Sequence, residues 1–213
     1  MIFDLDGVIL DSMLIWEDLG ARFLRGRGLV PEPGLNRILF SMSMEQGAEY
    51  LAEQYPIGIS SDELLTGLRG MLRDFYFDEV KAKEGARELL EDLAAHGIRI
   101  TAATSSPREH VTRALARNGI LPFFEKIFTT SEMETSKHDP DIYNAAAAFM
   151  GTEPSETAVF EDSLYALKTA KAAGYKAYGV FDAHGESNQD EMQRTADVYV
   201  MRLPEVTGTL DSF

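Results

Sequence analysis

Two carboxylates, Asp4 and Asp6, close the apolar run Met1-Ile2-Phe3-Asp4-Leu5-Asp6-Gly7. The run reads as a short buried strand that delivers both acids to its C-terminal mouth, with Gly7 letting the chain turn away. Side chains alternate along a strand, so Asp4 and Asp6 start out on the same face. Two acids side by side resist ionising together unless a cation or a shared proton relieves them, which suits metal or acid–base chemistry. Taken alone, Asp-x-Asp-Gly is equally an ordinary turn cap.

Three later stretches carry further reactive groups. Thr104-Ser105-Ser106-Pro107 follows an apolar strand and precedes a helix. Ser106 as N-cap, Pro107 at the first helical position and Glu109 in a capping box would explain it structurally. Hydroxyls and free N–H groups at a helix N-terminus equally make an anion site. Lys137 lies just before Asp139-Pro140 and the helix they open, although a lone lysine is ordinarily a solvated charge. Glu161-Asp162-Ser163 ends another apolar strand; its acids either favour a helix N-terminus or offer oxygen ligands to a hard cation.

In this order, Asp4-Leu5-Asp6-Gly7, Thr104, Lys137 and Glu161-Asp162 resemble the four motifs of the haloacid dehalogenase superfamily, the aspartate-nucleophile phosphohydrolases. The resemblance spans nearly the whole chain. It implies that Asp4 attacks phosphorus and that Asp6 serves as general acid and base. A carboxylate nucleophile splits one hard displacement into two easier ones, and the second acid protonates the leaving alcohol and then activates water. The resemblance further implies that Thr104 contacts the transferring phosphoryl group, supported by Ser105 and Ser106, and that Lys137 neutralises nucleophile and phosphoryl oxygens. It implies one cofactor, Mg²⁺, held by Asp4, the main-chain carbonyl of Asp6, Asp162 and Glu161. The family usually has Pro where this chain has His138, which touches the loop that aims Lys137, and often Gly where it has Ala166.

In the dehalogenating branch the second acid of the first motif is replaced; Asp6 is present, so dehalogenation is excluded. Phosphonate cleavage in this superfamily uses a cap lysine that forms an imine, and the residue just past the first motif that commonly signals it is not evident here. A phosphatase is harder to separate from a sugar-phosphate mutase of the beta-phosphoglucomutase branch, whose cap arginine grips the non-reacting phosphate. In the segment Ser41-Met42-Ser43-Met44-Glu45-Gln46, Met44 stands where that arginine is expected. The expectation is therefore an enzyme that hydrolyses a small phosphate monoester, a sugar phosphate or similar metabolite, through an aspartyl-phosphate. The mutase is the alternative, and a phosphometabolite-binding module without turnover a remoter one, against which the four intact motifs argue.

The surrounding pattern supplies the elements such a site needs. From Ser12 to about Lys81 only helical spacing recurs: Leu14, Ile15, Leu19, Phe23 and Leu24 in one run, and a capping box from Ser60 to Glu63 opening another. From Glu84 onward, helical and strand patterns alternate, with strands expected near 98–103, 126–128, 157–160, 176–180 and 198–201, and a polar loop or lid over 182–194 with room for a short helix. The expected fold class is α/β, a doubly wound parallel sheet with a small α-helical cap: a core of 1–12 and 82–213, and a cap of 13–81. The resemblance puts the reaction centre at the carboxyl ends of the strands beneath the cap.

Composition narrows the partners. The 213 residues carry a formal net charge of −15, which argues against nucleic acid or an anionic membrane as partner but not against a small phosphate. There is no cysteine, no apolar run long enough to span a bilayer, and no leader pattern before Asp4. A cytoplasmic monomer acting on a small-molecule phosphate is the expectation, with an amino terminus a few residues shorter than its relatives usually have. His96 and His110 are expected at the surface, His184 in a loop, and Trp16 in the core or at the cap interface.

Overall fold

The computed structural model describes residues 1–40 and 42–208. The chain divides into two compact units, Met1–Asp11 with everything from Val80 onward, and Ser12–Glu79.

The second unit is all helical. It comprises α1 (Met13–Gly26), α2 (Leu35–Phe40), α3 (Met44–Gln54) and α4 (Ser61–Asp74), followed by a π-helical turn over Phe75–Glu79. Apolar residues at helical spacing give α1 and α4 one inward stripe each: Ile15, Leu19, Phe23 and Leu24, and Leu64, Leu68 and Leu72, are buried. Reciprocal capping boxes start two of these helices, Ser43 with Gln46 and Ser60 with Glu63. Trp16 is 45% exposed, which rules out the core of the two places expected of it, because it lies off the buried stripe of α1. Met44, the residue weighed against a mutase arginine, is the first residue of α3; its neighbour Ser41 lies outside the described residues.

The first unit is a doubly wound α/β sheet. Its strands are β1 (Ile2–Phe3), β2 (Thr101–Thr104), β3 (Lys126–Thr129), β4 (Ala158–Glu161), β5 (Lys176–Val180) and β6 (Val198–Val200), in the order β3-β2-β1-β4-β5-β6. Every neighbouring pair is parallel. The connections carry α5 (Ala86–Ala95), α6 (Arg108–Arg117), α7 (Asp141–Met150), α8 (Leu164–Ala172) and α9 (Gln189–Thr195). β1 is short but completely buried, and Phe3 stacks on Phe160 with ring centroids 4.2 Å apart. The alanine-rich α7 packs Ile142, Ala146, Ala147 and Met150 against Ile2, Ala103, Phe128 and Val159. Strand order reverses at β1, and such a switch point opens a crevice at the carboxyl ends of the central strands.

Beyond β1 the chain makes one tight turn. Gly7 adopts φ +73°, which glycine does without strain, and the N–H groups of Ile9 and Leu10 both donate to Leu5 O at 2.9 and 2.7 Å. The chain returns beside residues 81–83: Lys83 N donates to Ile9 O at 2.8 Å and Asp11 N to Lys81 O at 2.9 Å. Those bonds tie residues 80–83 to the sheet unit, so the compact helical unit ends at Glu79 rather than Lys81.

The strand expected over 98–103 forms over Thr101–Thr104 instead. Gly97 is left-handed and Ile98 N donates to Leu93 O at 3.0 Å, so residues 97 and 98 close the preceding helix rather than start a strand. The polar stretch 182–194 is a loop as far as Asn188, whose side chain caps α9. His110 is half-buried in α6 rather than on the surface. Residues 209–213 of the expected core lie outside the described residues.

Candidate active site

Parallel register sets the site. Phe3 lies beside Phe160, and Asp4 N donates to Phe160 O at 2.9 Å, so Asp4 leaves β1 level with Glu161 at the end of β4. Asp162 is the next residue, and carboxylate oxygens of Asp4, Glu161 and Asp162 lie within 4.8 Å of one another. All three are buried, Glu161 completely. Thr104 ends β2 on the other flank of β1, anchored by Thr130 N donating to its carbonyl at 3.0 Å.

Lys137 arrives from the loop between β3 and α7 and is buried. Its Nζ donates to Asp4 Oδ1 and, at 2.8 Å, to Glu161 Oε1. The following residue, His138, is exposed; its ring stacks on Tyr165 of α8 at 4.5 Å, and its carbonyl accepts from Thr169 Oγ1 at 3.3 Å. These contacts hold the Lys137 loop although it lacks the usual proline. Ala166 is fully buried in the first turns of α8.

Asp6 is only partly buried and stands outside the acid trio. Its Oδ2 accepts from Ser106 Oγ at 2.6 Å. This overturns the capping reading of Ser106: α6 begins at Arg108, Pro107 precedes it, and no side chain caps it. The Ser106 hydroxyl is turned to Asp6, while its N–H donates to Thr104 Oγ1 at 3.1 Å. Ser105 is exposed beside them.

Sequence reasoning missed Tyr143. From α7 its hydroxyl donates to Glu161 Oε1 at 2.7 Å, although both residues are completely buried. The one signal was a hydroxyl on the helix face that otherwise reads Ile142, Ala146, Ala147, Met150.

The charges do not balance locally. Of the carboxylates of Asp4, Asp6, Glu161 and Asp162, two, Asp4 and Glu161, pair with the Lys137 ammonium. Burial alone would lower the Lys137 pKa, but Asp4 and Glu161 outweigh it and hold the ammonium above the ordinary lysine value. Burial, then the neighbouring Glu161, Asp162 and Asp6, push Asp4 upward against the opposing pull of Lys137. Asp162 is pushed up to about 8, by burial first and then by Glu161, Asp182 and Asp6, against Lys137. Burial and Glu161 likewise raise Tyr143, which keeps it a donor.

A hard divalent cation fits this set. Glu161 Oε1 is occupied by Tyr143 and Lys137, whereas its Oε2 is buried with no hydrogen-bond partner. A buried carboxylate oxygen without a donor is costly unless a cation faces it. Octahedral Mg²⁺ sets its ligand oxygens about 3–4 Å apart, near the spread of the trio.

Comparisons with known proteins give the family and the fold. A family model described as haloacid dehalogenase-like hydrolase matches residues 1–180. A validoxylamine A 7'-phosphate phosphatase from Streptomyces hygroscopicus subsp. limoneus is 29% identical over 207 residues, covering 96% of this chain and 94% of that protein. A phosphorylated carbohydrates phosphatase from Thermotoga maritima is 25% identical over 211 residues, covering 99% and 97%. Among solved structures, a Thermotoga maritima protein provisionally described as a beta-phosphoglucomutase superposes with a TM-score of 0.87 over 99% of this chain and 97% of its own, at 24% identity, a likeness of fold.

Proposed function

Because the chain belongs to the haloacid dehalogenase-like hydrolases, we propose that it is a phosphatase that hydrolyses a small phosphate monoester, with sugar phosphates as the substrate class, through a phosphorylated Asp4. The observation that carries the reading is the placement of Asp4. Its carboxylate is buried at a strand end, one oxygen is held by Lys137, and the partly exposed Asp6 follows two residues on.

In the first half-reaction an Asp4 carboxylate oxygen attacks phosphorus and the bond from phosphorus to the ester oxygen breaks. Asp6 gives its proton to the leaving alcohol. Ser106 Oγ donates to Asp6 Oδ2 at 2.6 Å and so fixes the orientation of that carboxyl group. In the second half, Asp6 takes a proton from water, the water oxygen attacks phosphorus, and the bond to Asp4 breaks. Inorganic phosphate leaves and Asp4 is a free carboxylate again. Lys137 offsets charge on Asp4 and on the phosphoryl oxygens as it develops. Thr104 and Ser105 are assigned to the phosphate; Ser106, whose N–H is already given to Thr104, braces Asp6. Asp4, Glu161, Asp162 and the Asp6 carbonyl would hold Mg²⁺, which when bound neutralises phosphoryl oxygens as a Lewis acid.

The substrate class is supported by relatives named as phosphatases of phosphorylated carbohydrates and of validoxylamine A 7'-phosphate. Hydrolysis rather than phosphate return is supported by Met44 at the position read for a mutase arginine. The acidic, cysteine-free composition fits a cytoplasmic enzyme, taken as a monomer.

The test is phosphate release from a panel of sugar, nucleotide and small-acid phosphates with Mg²⁺. Release from a hexose phosphate, lost on adding excess chelator and reduced about 10³-fold or more in Asp4→Asn, is the expected result. A hexose 1-phosphate converted to its 6-phosphate isomer faster than phosphate appears would replace this reading with the mutase.

A further inference from the structure

The loop after β5 is built against the acid trio. A Cβ added at Gly185 would lie 2.9 Å from Asp162 Oδ2 and 3.2 Å from Asp182 Cβ, so the backbone there rests on the Asp162 carboxylate. Glu186 Oε2 accepts from Leu164 N at 3.2 Å, fastening the same loop to the first residue of α8, two positions after Asp162. Asp182 is buried at the root of the loop, where its Oδ1 accepts from His184 N at 2.8 Å.

What anchors this loop is Lys83, a residue no motif marks. Its Nζ donates to three acceptors: Asp182 Oδ2 at 2.8 Å, Phe181 O at 2.9 Å and Gly7 O at 2.6 Å. An ammonium has three donors, so all are used. Two acceptors belong to the loop that rests on Asp162, and the third belongs to the residue after Asp6. The backbone bond from Lys83 N to Ile9 O fixes the lysine beside that turn. Lys83 also compensates the buried Asp182 charge, which would otherwise add to the four carboxylates nearby.

We propose that Lys83 is a positioning residue for the divalent cation, locking the turn that carries Asp6 to the loop that sets Asp162, so that ligands from β1 and β4 keep one geometry. The proposal rests on the cation reading given above. Residues that orient ligands from behind alter metal affinity about 10- to 100-fold when removed.

The test compares wild type, Lys83→Met and the double variant Lys83→Met/Asp182→Asn, following Mg²⁺ binding by calorimetry, thermal stability without metal, and phosphate release. Lys83→Met is expected to weaken Mg²⁺ binding about tenfold and to shift the Mg²⁺ dependence of kcat upward to match, with the substrate KM at saturating Mg²⁺ within twofold of wild type. The double variant removes the unpaired charge. It is expected to regain thermal stability but not Mg²⁺ affinity, because the Gly7 and Phe181 carbonyls are still unbridged. Should Lys83→Met not fold, the double variant carries the same comparison with wild type. Wild-type Mg²⁺ affinity in Lys83→Met, or full recovery of affinity together with stability in the double variant, would overturn the positioning role. A wild-type protein that binds no Mg²⁺ would overturn the cation reading itself, a separate and visible result.

Discussion

Glu161 and Asp6 are each oriented by hydrogen-bond donors from neighbouring side chains. Tyr143 and Lys137 share Glu161 Oε1, and Oε2 is the oxygen without a donor. Tyr143→Phe removes one of the two donors from a buried charge, at a cost of about 1–3 kcal/mol, read as a lower urea midpoint with an unchanged slope. A loss below about 0.3 kcal/mol would contradict the bond. Ser106 holds Asp6 Oδ2, and general acid–base catalysis contributes about 10²–10⁴-fold, so misaiming Asp6 sacrifices a part of that. Ser106→Ala is expected to lower kcat about tenfold on a sugar phosphate, whose leaving alcohol needs the proton. The deficit should shrink on p-nitrophenyl phosphate, whose leaving group does not. Equal losses on both substrates would mean that Ser106 acts on the phosphate rather than through Asp6.

At the scale of elements, strand ends place the acids and helix starts fix the rest. The Ser60 capping box satisfies donors at both ends of one turn, Glu63 N giving to Ser60 Oγ at 3.2 Å and Ser60 N to Glu63 Oε2 at 2.9 Å. Ser60→Ala should cost about 1 kcal/mol in denaturant titration and leave the Mg²⁺ affinity of the sheet unit unchanged. That box was legible in the sequence because capping is local, decided within four residues. So were the apolar runs that end in Asp4, Thr104 and Glu161, since each strand is buried on both faces. Ser106 was not legible in the same way: the residue pattern Ser-Pro-x-Glu meets the capping rule, but a carboxylate 100 positions away takes the hydroxyl instead. Ile98 reads as strand, but Gly97 draws the helix closure through it. Tyr143 has only a hydroxyl on an otherwise apolar helix face to mark it, and Lys83 has no local mark. Their partners, Glu161, Gly7 and Asp182, come from other crossovers of the sheet, and only the strand order brings them together.

At the scale of the whole molecule, acidity is both general and focused. The chain carries a net charge of −15, and its centre gathers acids whose pKa values burial raises. Asp162 at about 8 in the folded state, against an ordinary 3.8, means that the native protein binds the extra proton between those values. Stability without metal therefore falls as pH rises through that window, the sign given by more protons bound in the native than in the unfolded state. Metal ligands must be deprotonated, so Mg²⁺ should raise the melting temperature more at pH 8 than at pH 6. A larger Mg²⁺ shift at pH 6 would contradict the assignment of Asp162. Among the described residues no helix is long and apolar enough to cross a membrane.

The central claim is that phosphate passes through Asp4. Borohydride reduction of the enzyme during turnover with Mg²⁺ and its best sugar phosphate, followed by peptide mass analysis of the amino-terminal segment, tests this directly. An acyl-phosphate at Asp4 is reduced to homoserine, so the account predicts homoserine at position 4, dependent on substrate and absent when the metal is chelated. Full phosphate release with Asp4 unmodified, or the reduced residue found elsewhere in the chain, would contradict it.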